Sequence, residues 1–525
     1  MTIQSTMPTL RAATCAVLLG LAAGCAAGAA PQDAAPAAPR LGGLPAAAQL
    51  GVLNRVTWGA STSTWRAARQ EGIDRYLEGQ LHPGPDDGLP PSIAAQIAGF
   101  SIVQRPMDEL VMDLERQRKA YSALPPDDAG AKVAQQAYQD QINRAAREAA
   151  TRSLLRDVYS RNQLKEQMTW FWMNHFNVFQ NKHNIRAMIG DYEERAIRPN
   201  ALGKFRDLVR ATVFHPAMLR YLDNEQNAGG RINENYAREL MELHTLGVNG
   251  GYAQQDVQEL ARVLTGLGVN LGTKEPKLRR ELQGQYVRRG VFEFNPARHD
   301  YGDKVLLGQP IRGEGLAEVD AAIDRLCASP ATAHHIGRKL ALYFTGADPS
   351  PRLENALAAA FQRSDGDIAQ VLATLFAAPE FRQSLGQAFR DPVHYVVGSV
   401  RMAYDEKPIL SVEPMMAWLT RLGEPLYGRL TPDGYPLDAS AWQSPGQMTT
   451  RFEIARIIGT SGAGLFRAPG GQAPESPGFP QLANPLYDEA LRTTLGPATR
   501  KALDAALSPQ EWNIFLLASP EWMNR

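Results

Sequence analysis

The stretch NENYARELMELHTLGVNGGYAQQDVQELARVLTG, residues 233–266, decides how this chain is read. It spells a helix, a Gly-rich turn and a second helix. Asn233 is a natural N-cap, and Gly247 with Asn249, Gly250 and Gly251 breaks the run. At about 100° per residue, Tyr236, Leu240, Leu243 and Leu246 share one side, and Glu239 projects inside that apolar arc between Asn235 and Glu242. On the second helix Asp256 shares an arc with Val257, Leu260, Val263 and Leu264. Inward carboxylates are costly unless paired, protonated or metal-bound. They are therefore candidates for acid/base work or metal ligation, and Arg238 or Arg262 are the cations that would instead close them into ion pairs.

Working outward, helical periodicity dominates from Gln49 to the end. The segment 108–160 is long, charged and split by Pro125 and Pro126, which reads as a helical hairpin with solvated faces or a partner-binding arm. Alternating strands are few, and QYVRRGVFEF (285–294) and KVLLG (304–308) predict a small β-hairpin beside the helices. Residues 315–386 return to helices, and Ser508 with Glu511 forms a capping box for the last one. Residues 424–484 carry many Gly and Pro residues and read as long ordered loops over a face. The fold class is mostly α: one large multi-helix body, residues 49–525, with a variable charged insertion at 270–290.

The beginning of the chain gives an address. Residues 12–30, AATCAVLLGLAAGCAAGAA, follow Arg11 and have the pattern of a secretory signal, too short to span a bilayer. LAAGC ending at Cys25 resembles a lipoprotein box, although Ala22 stands where Leu is usual. Ala27, Gly28 and Ala29 offer an ordinary cleavage site instead. The expectation is a periplasmic, outer-membrane or secreted protein, attached to the membrane if Cys25 is lipidated, with residues 31–48 as an Ala/Pro-rich tether. The mature chain then keeps Cys327 as its one ordinary thiol. Across 525 residues, 55 Lys+Arg balance 55 Asp+Glu, and a neutral total argues against a nucleic-acid tracker.

Two further clusters carry candidate chemistry. In LKEQMTWFWMNHFNVFQNKHN (164–184), Trp170 and Trp172 would form an aromatic platform beside Asn174 and His175; the bland reading is a core helix with a satisfied histidine. His299 and Asp300 stand with Asp303 after the candidate strand, and Asp223, Asn224 and Glu225 precede the turn at Gly229 and Gly230. HExxH, CxxC pairs, GxSxG and a P-loop are all absent from the sequence.

The central stretch, together with FWMNHFNVF, HPAMLRYLDNEQN, HDYGDKVLLG, SPATAHHIGRKLALYF and LASPEWMNR, resembles a bacterial family catalogued as domain of unknown function 1800. The resemblance implies a mostly helical, exported protein and hands over neither a reaction nor catalytic residues.

The functional expectation is an exported hydrolase acting on an envelope or extracellular polysaccharide. Glu239 and Asp256 are the acid/base pair, with Glu242 and His175 beside them. Trp170, Trp172, Asn174, Asn235, Asp223, Asn224, His299 and Asp300 bind substrate. No cofactor is predicted, although a carboxylate/His site for a divalent metal is possible. The alternative from another class is a non-catalytic, envelope-anchored binding or assembly protein.

Overall fold

Capping side chains mark where the helices start. In the computed structural model, which describes residues 41–125, 127–467 and 478–525, Ser329, Ser350, Asp391 and Ser444 each accept a first-turn backbone N–H. A proline follows each at the first helical position, where its missing N–H is not needed. Ser508 caps the helix Pro509–Leu517 in the same way, but Glu511 reaches back to the N–H of Leu507 rather than to that of Ser508. The signal sequence with Cys25, residues 31–40 of the tether, Pro126 and residues 468–477 lie outside the described residues.

The folded body begins earlier than expected. Leu41 is buried and its N–H is held by Asp74, and the first long helix is Ala46–Val56, so a free tether cannot extend to residue 48. The charged segment 108–160 is a hairpin of Met107–Ser122 against the 31-residue helix Ala129–Tyr159. The second arm is no peripheral insertion, because Ile142, Ala149, Leu154, Leu155 and Val158 are wholly enclosed. Residues 315–386 form the helices Ala317–Ala328, Pro330–Thr345, Pro351–Arg363, Ile368–Ala377 and Pro379–Gln383.

The sheet differs from expectation. β1 (Leu267–Val269), β2 (Val287–Arg289) and β3 (Phe292–Phe294) form one antiparallel sheet in the order β1-β3-β2, with Leu267 and Val287 both opposite Phe294. β4 (Lys304–Leu306) pairs instead with β5 (Gln309–Ile311) in a separate hairpin. The two expected partners each found a nearer neighbour across a tight turn at Gly290 or Gly308, where φ is positive. Among the described residues, no helix is long and apolar enough to cross a membrane.

Part of the core is knitted by arginines. Arg55 is fully enclosed and donates to the carbonyls of Phe344, Ser384 and Arg525. Arg401 serves the carbonyls of Gly59 and Val158. Arg451 lies over the Phe389 and Tyr395 rings and donates to the Arg390 carbonyl. Arg390 lies over Trp522. Burial lowers the Arg390 guanidinium to about 9 and the Arg451 guanidinium to about 10.

Candidate functional site

The first helix of the central stretch changes pitch in the middle. Asn235–Glu239 is α-helical, and Leu240–Thr245 winds as a π-helical turn. Such turns recur at functional sites because the extra residue re-aims side chains. The cap falls one residue later than expected, at Glu234, which makes no side-chain cap bond; the Asn233 side chain accepts the N–H of Asn235 from just before it. Gly247 ends it at φ +83°, where a Cβ would also stand 2.9 Å from His335 Nδ1.

Glu239 and Glu242 flank this change of pitch and are half-buried. Among the described residues neither makes a hydrogen bond or an ion pair. The Glu239 carboxyl is raised above the usual range, first by burial and then by the Glu242 charge, with Asp433 adding and Arg238 opposing. Arg238 is engaged elsewhere, 3.0 Å from Glu234 and 2.9 Å from Gln254. The hydroxyls of Tyr221 and Tyr252 lie within the field of Glu239, and that of Tyr252 also within the field of Glu242.

Behind the π-helical turn sits a cluster that joins distant parts of the sequence. His175, on the helix Gln163–His175, donates from Nε2 to the His244 carbonyl at 3.0 Å. That bond leaves Nδ1 as an acceptor, and Lys339 Nζ lies 2.8 Å from it. His335, one turn before Lys339 on Pro330–Thr345, faces the Leu243 carbonyl at 3.2 Å. The rings of His244 and His335 stand 5.9 Å and 6.2 Å from that of His175. Burial, then the Lys339 charge, holds all three imidazoles neutral, with His244 lowered to about 3 and His335 to about 4. Burial also lowers the Lys339 amine to about 8, against the opposing field of Asp433.

A Gly/Pro-rich loop covers the face, as its composition predicts. Asn174 Nδ2 donates to the Tyr435 carbonyl at 3.0 Å, and its Oδ1 accepts the Tyr435 N–H at 2.6 Å. Asn177 donates to the carbonyls of Arg429 and Thr431, and Tyr221 to that of Leu430. Gly434, at φ +77°, passes so close that a Cβ there would be 2.2 Å from the Asn174 carbonyl. Asn174 is therefore a clasp for the loop, with one amide N–H and its oxygen committed to Tyr435.

Several other expected site residues are architectural. Asp256 accepts the N–H groups of Ala253, at 2.8 Å, and Leu307, capping its helix and bracing β4, so it is spent as an acid/base group. Trp172 is fully enclosed and donates to the Ala201 carbonyl at 2.9 Å. Trp170 stacks on Tyr343 with centroids 6.0 Å apart, beside a cavity of about 30 Å³, which has room for water and not for a sugar. The dense aromatic run is core. His175 is likewise buried and meets Lys339 rather than a substrate.

Asn224 is buried and holds the carbonyls of Leu264 and Leu267. Asp223 pairs with Lys182 at 2.8 Å. Asn235 donates to the Leu222 carbonyl at 3.1 Å. His299 and Asp300 part company: His299 Nε2 meets Glu318 Oε1 at 2.9 Å, while Asp300 pairs with Arg262. Glu318 also takes Lys304 and the Gly315 N–H, and although burial opposes it, these donors keep its carboxyl below the usual range. Of the carboxylates expected at the site, Glu239 and Glu242 are the two without a hydrogen bond or ion pair among the described residues. His335 and Lys339 lie outside the expected site; the sequence signal that carries them is HHIGRK, which reads as helix and belongs to the family resemblance.

Among the described residues, no group of three or more His, Cys, Asp or Glu could hold a metal ion. A family described as "Protein of unknown function (DUF1800)" matches residues 51–524. The chain belongs to that family. The family match spans both the carboxylate turn and the covering loop. No curated protein and no solved structure matches the chain.

Proposed function

We propose that this chain is an exported hydrolase acting on an envelope or extracellular polysaccharide by carboxylate acid/base chemistry. The observation that carries the reading is the pair Glu239 and Glu242. The two are adjacent and unpaired among the described residues, with Glu239 biased toward its protonated form. Protonated Glu239 would donate to the leaving glycosidic oxygen, and ionised Glu242 would activate water or stabilise the developing positive charge. Tyr252, partly exposed and within the field of both carboxylates, replaces the tryptophans as the proposed ring surface. The address comes from residues 12–30, with Cys25 as the proposed lipid attachment.

The assembly alternative needs these carboxylates closed by arginine, and Arg238 and Arg262 are committed to other partners. The test is a polysaccharide and peptidoglycan panel with the mature protein and Glu239→Gln. Wild type should release reducing ends, and the variant should fall by about 10²–10⁴-fold. Equal activity in the two proteins sinks the assignment.

A further inference from the structure

Lys339 is unusual for a lysine within the field of a carboxylate, that of Asp433. Among the described residues it has no ion pair, and its one hydrogen-bond partner is the neutral His175 imidazole. The geometry of that contact matters. The Nε2–H of His175 is fixed on the His244 carbonyl, so the nitrogen facing Lys339 can only accept. An amine that donates one N–H to an acceptor keeps its own lone pair free. A carboxylate partner would instead hold the group as an ammonium.

The surroundings act in the same direction. Facing Lys339 are His175 from the helix Gln163–His175, His244 from the π-helical turn and His335 from the same helix as the lysine, with Asp433 from the covering loop. The imidazoles are neutral. Asp433 is already engaged by Arg429 at 2.9 Å and by Thr431. The Asp433 carboxylate is the charge whose field reaches Lys339, and it disfavours an anionic ligand and admits a neutral electrophile.

We infer that Lys339 is an amine nucleophile that condenses with the carbonyl of a neutral aldehyde or ketone, with His175 as the residue that positions it. The step balances. The ammonium releases a proton to water, and the free amine attacks the carbonyl carbon to form a C–N bond and a carbinolamine. Loss of the hydroxyl with a proton, as water, leaves an iminium that carries the original positive charge. The lowered amine supports this, because a larger share is unprotonated near neutrality than in an ordinary lysine. The inference goes beyond glycan hydrolysis and does not depend on it.

The probe is glycolaldehyde with cyanoborohydride, which reduces the iminium to a stable secondary amine. The mature wild-type protein is labelled without any glycan and mapped by peptide mass spectrometry. At pH 7, Lys339 should be modified about tenfold faster than the exposed Lys132, Lys274 and Lys501. Its rate should level off above about pH 8, while the exposed lysines continue to rise. Labelling of Lys339 no faster than those three, or none, overturns the proposal. Lys339→Met checks the peptide assignment, and because the decisive measurement uses unaltered protein, a misfolded variant cannot mask the result. Failure of the glycan panel leaves this readout untouched, so the two readings fail separately.

Discussion

Two regions of this molecule handle charge in opposite ways. Around Ala46–Val56 and Pro392–Tyr404, enclosed arginines end on backbone carbonyls or lie over aromatic rings. Along the π-helical turn, half-buried carboxylates end on nothing among the described residues. The first arrangement satisfies every carbonyl it touches and ties together chain segments far apart in sequence. The second leaves a charge cost in place, and unrelieved costs of that kind concentrate where chemistry is done. Both regions remove charge from water, and they differ in that the arginines keep carbonyl or ring partners while Glu239 and Glu242 keep none among the described residues.

That contrast can be broken from either side. Arg55→Ala strands the carbonyls of Phe344, Ser384 and Arg525. It should cost about 3–5 kcal/mol in denaturant unfolding, with activity per folded molecule unchanged. A loss under about 1 kcal/mol would mean that water replaces the arginine. On the carboxylate side, Glu242→Gln removes a repulsion that helps raise Glu239. Because Glu242 is also the proposed base, activity should fall by about 10²–10⁴-fold. Glu239 then ionises at lower pH, and the alkaline limb of the residual kcat/KM should move to lower pH, an unmoved limb assigning it to another group.

The same raised carboxyl has a stability consequence. Its protonated form is favoured by the fold, so that contribution is full at low pH and is lost as pH rises through the folded-state value. Glu242→Gln should shrink this loss, read as a flatter dependence of the unfolding midpoint on pH. Two smaller effects sharpen the division. Trp172→Phe deprives the Ala201 carbonyl of its donor and should cost about 1–3 kcal/mol without altering activity. Asp256→Ala should cost about 1 kcal/mol as a lost cap and leave the rate intact. A rate collapse in Asp256→Ala would restore it to the chemistry.

The helices of 315–386 were legible because Ser329, Ser350 and Asp367 write their starts in local chemistry. Strand pairing was not, since three-residue strands carry too little pattern to name a partner, and β4 took β5. Inwardness of Glu239 could be read from helical phase, but the same phase argument failed for Asp256. At the first turn of a helix, an inward carboxylate caps backbone instead of facing a cleft. The clustering of Trp170, Trp172 and His175 reported a core, where aromatic density is ordinary. Lys339 escaped notice because its partner, His175, stands 164 positions away, and no local period encodes such a meeting.

The clasp between Asn174 and Tyr435 joins positions 261 residues apart. A chain made from its first residue onward must therefore carry the aromatic segment 171–179 uncovered until more than half of the remaining protein exists. The carboxylate face cannot assemble as an early, local folding unit; it waits for a long-range closure. If the chain crosses a membrane before folding, that delay becomes a safeguard: the carboxylate face takes shape only after the crossing.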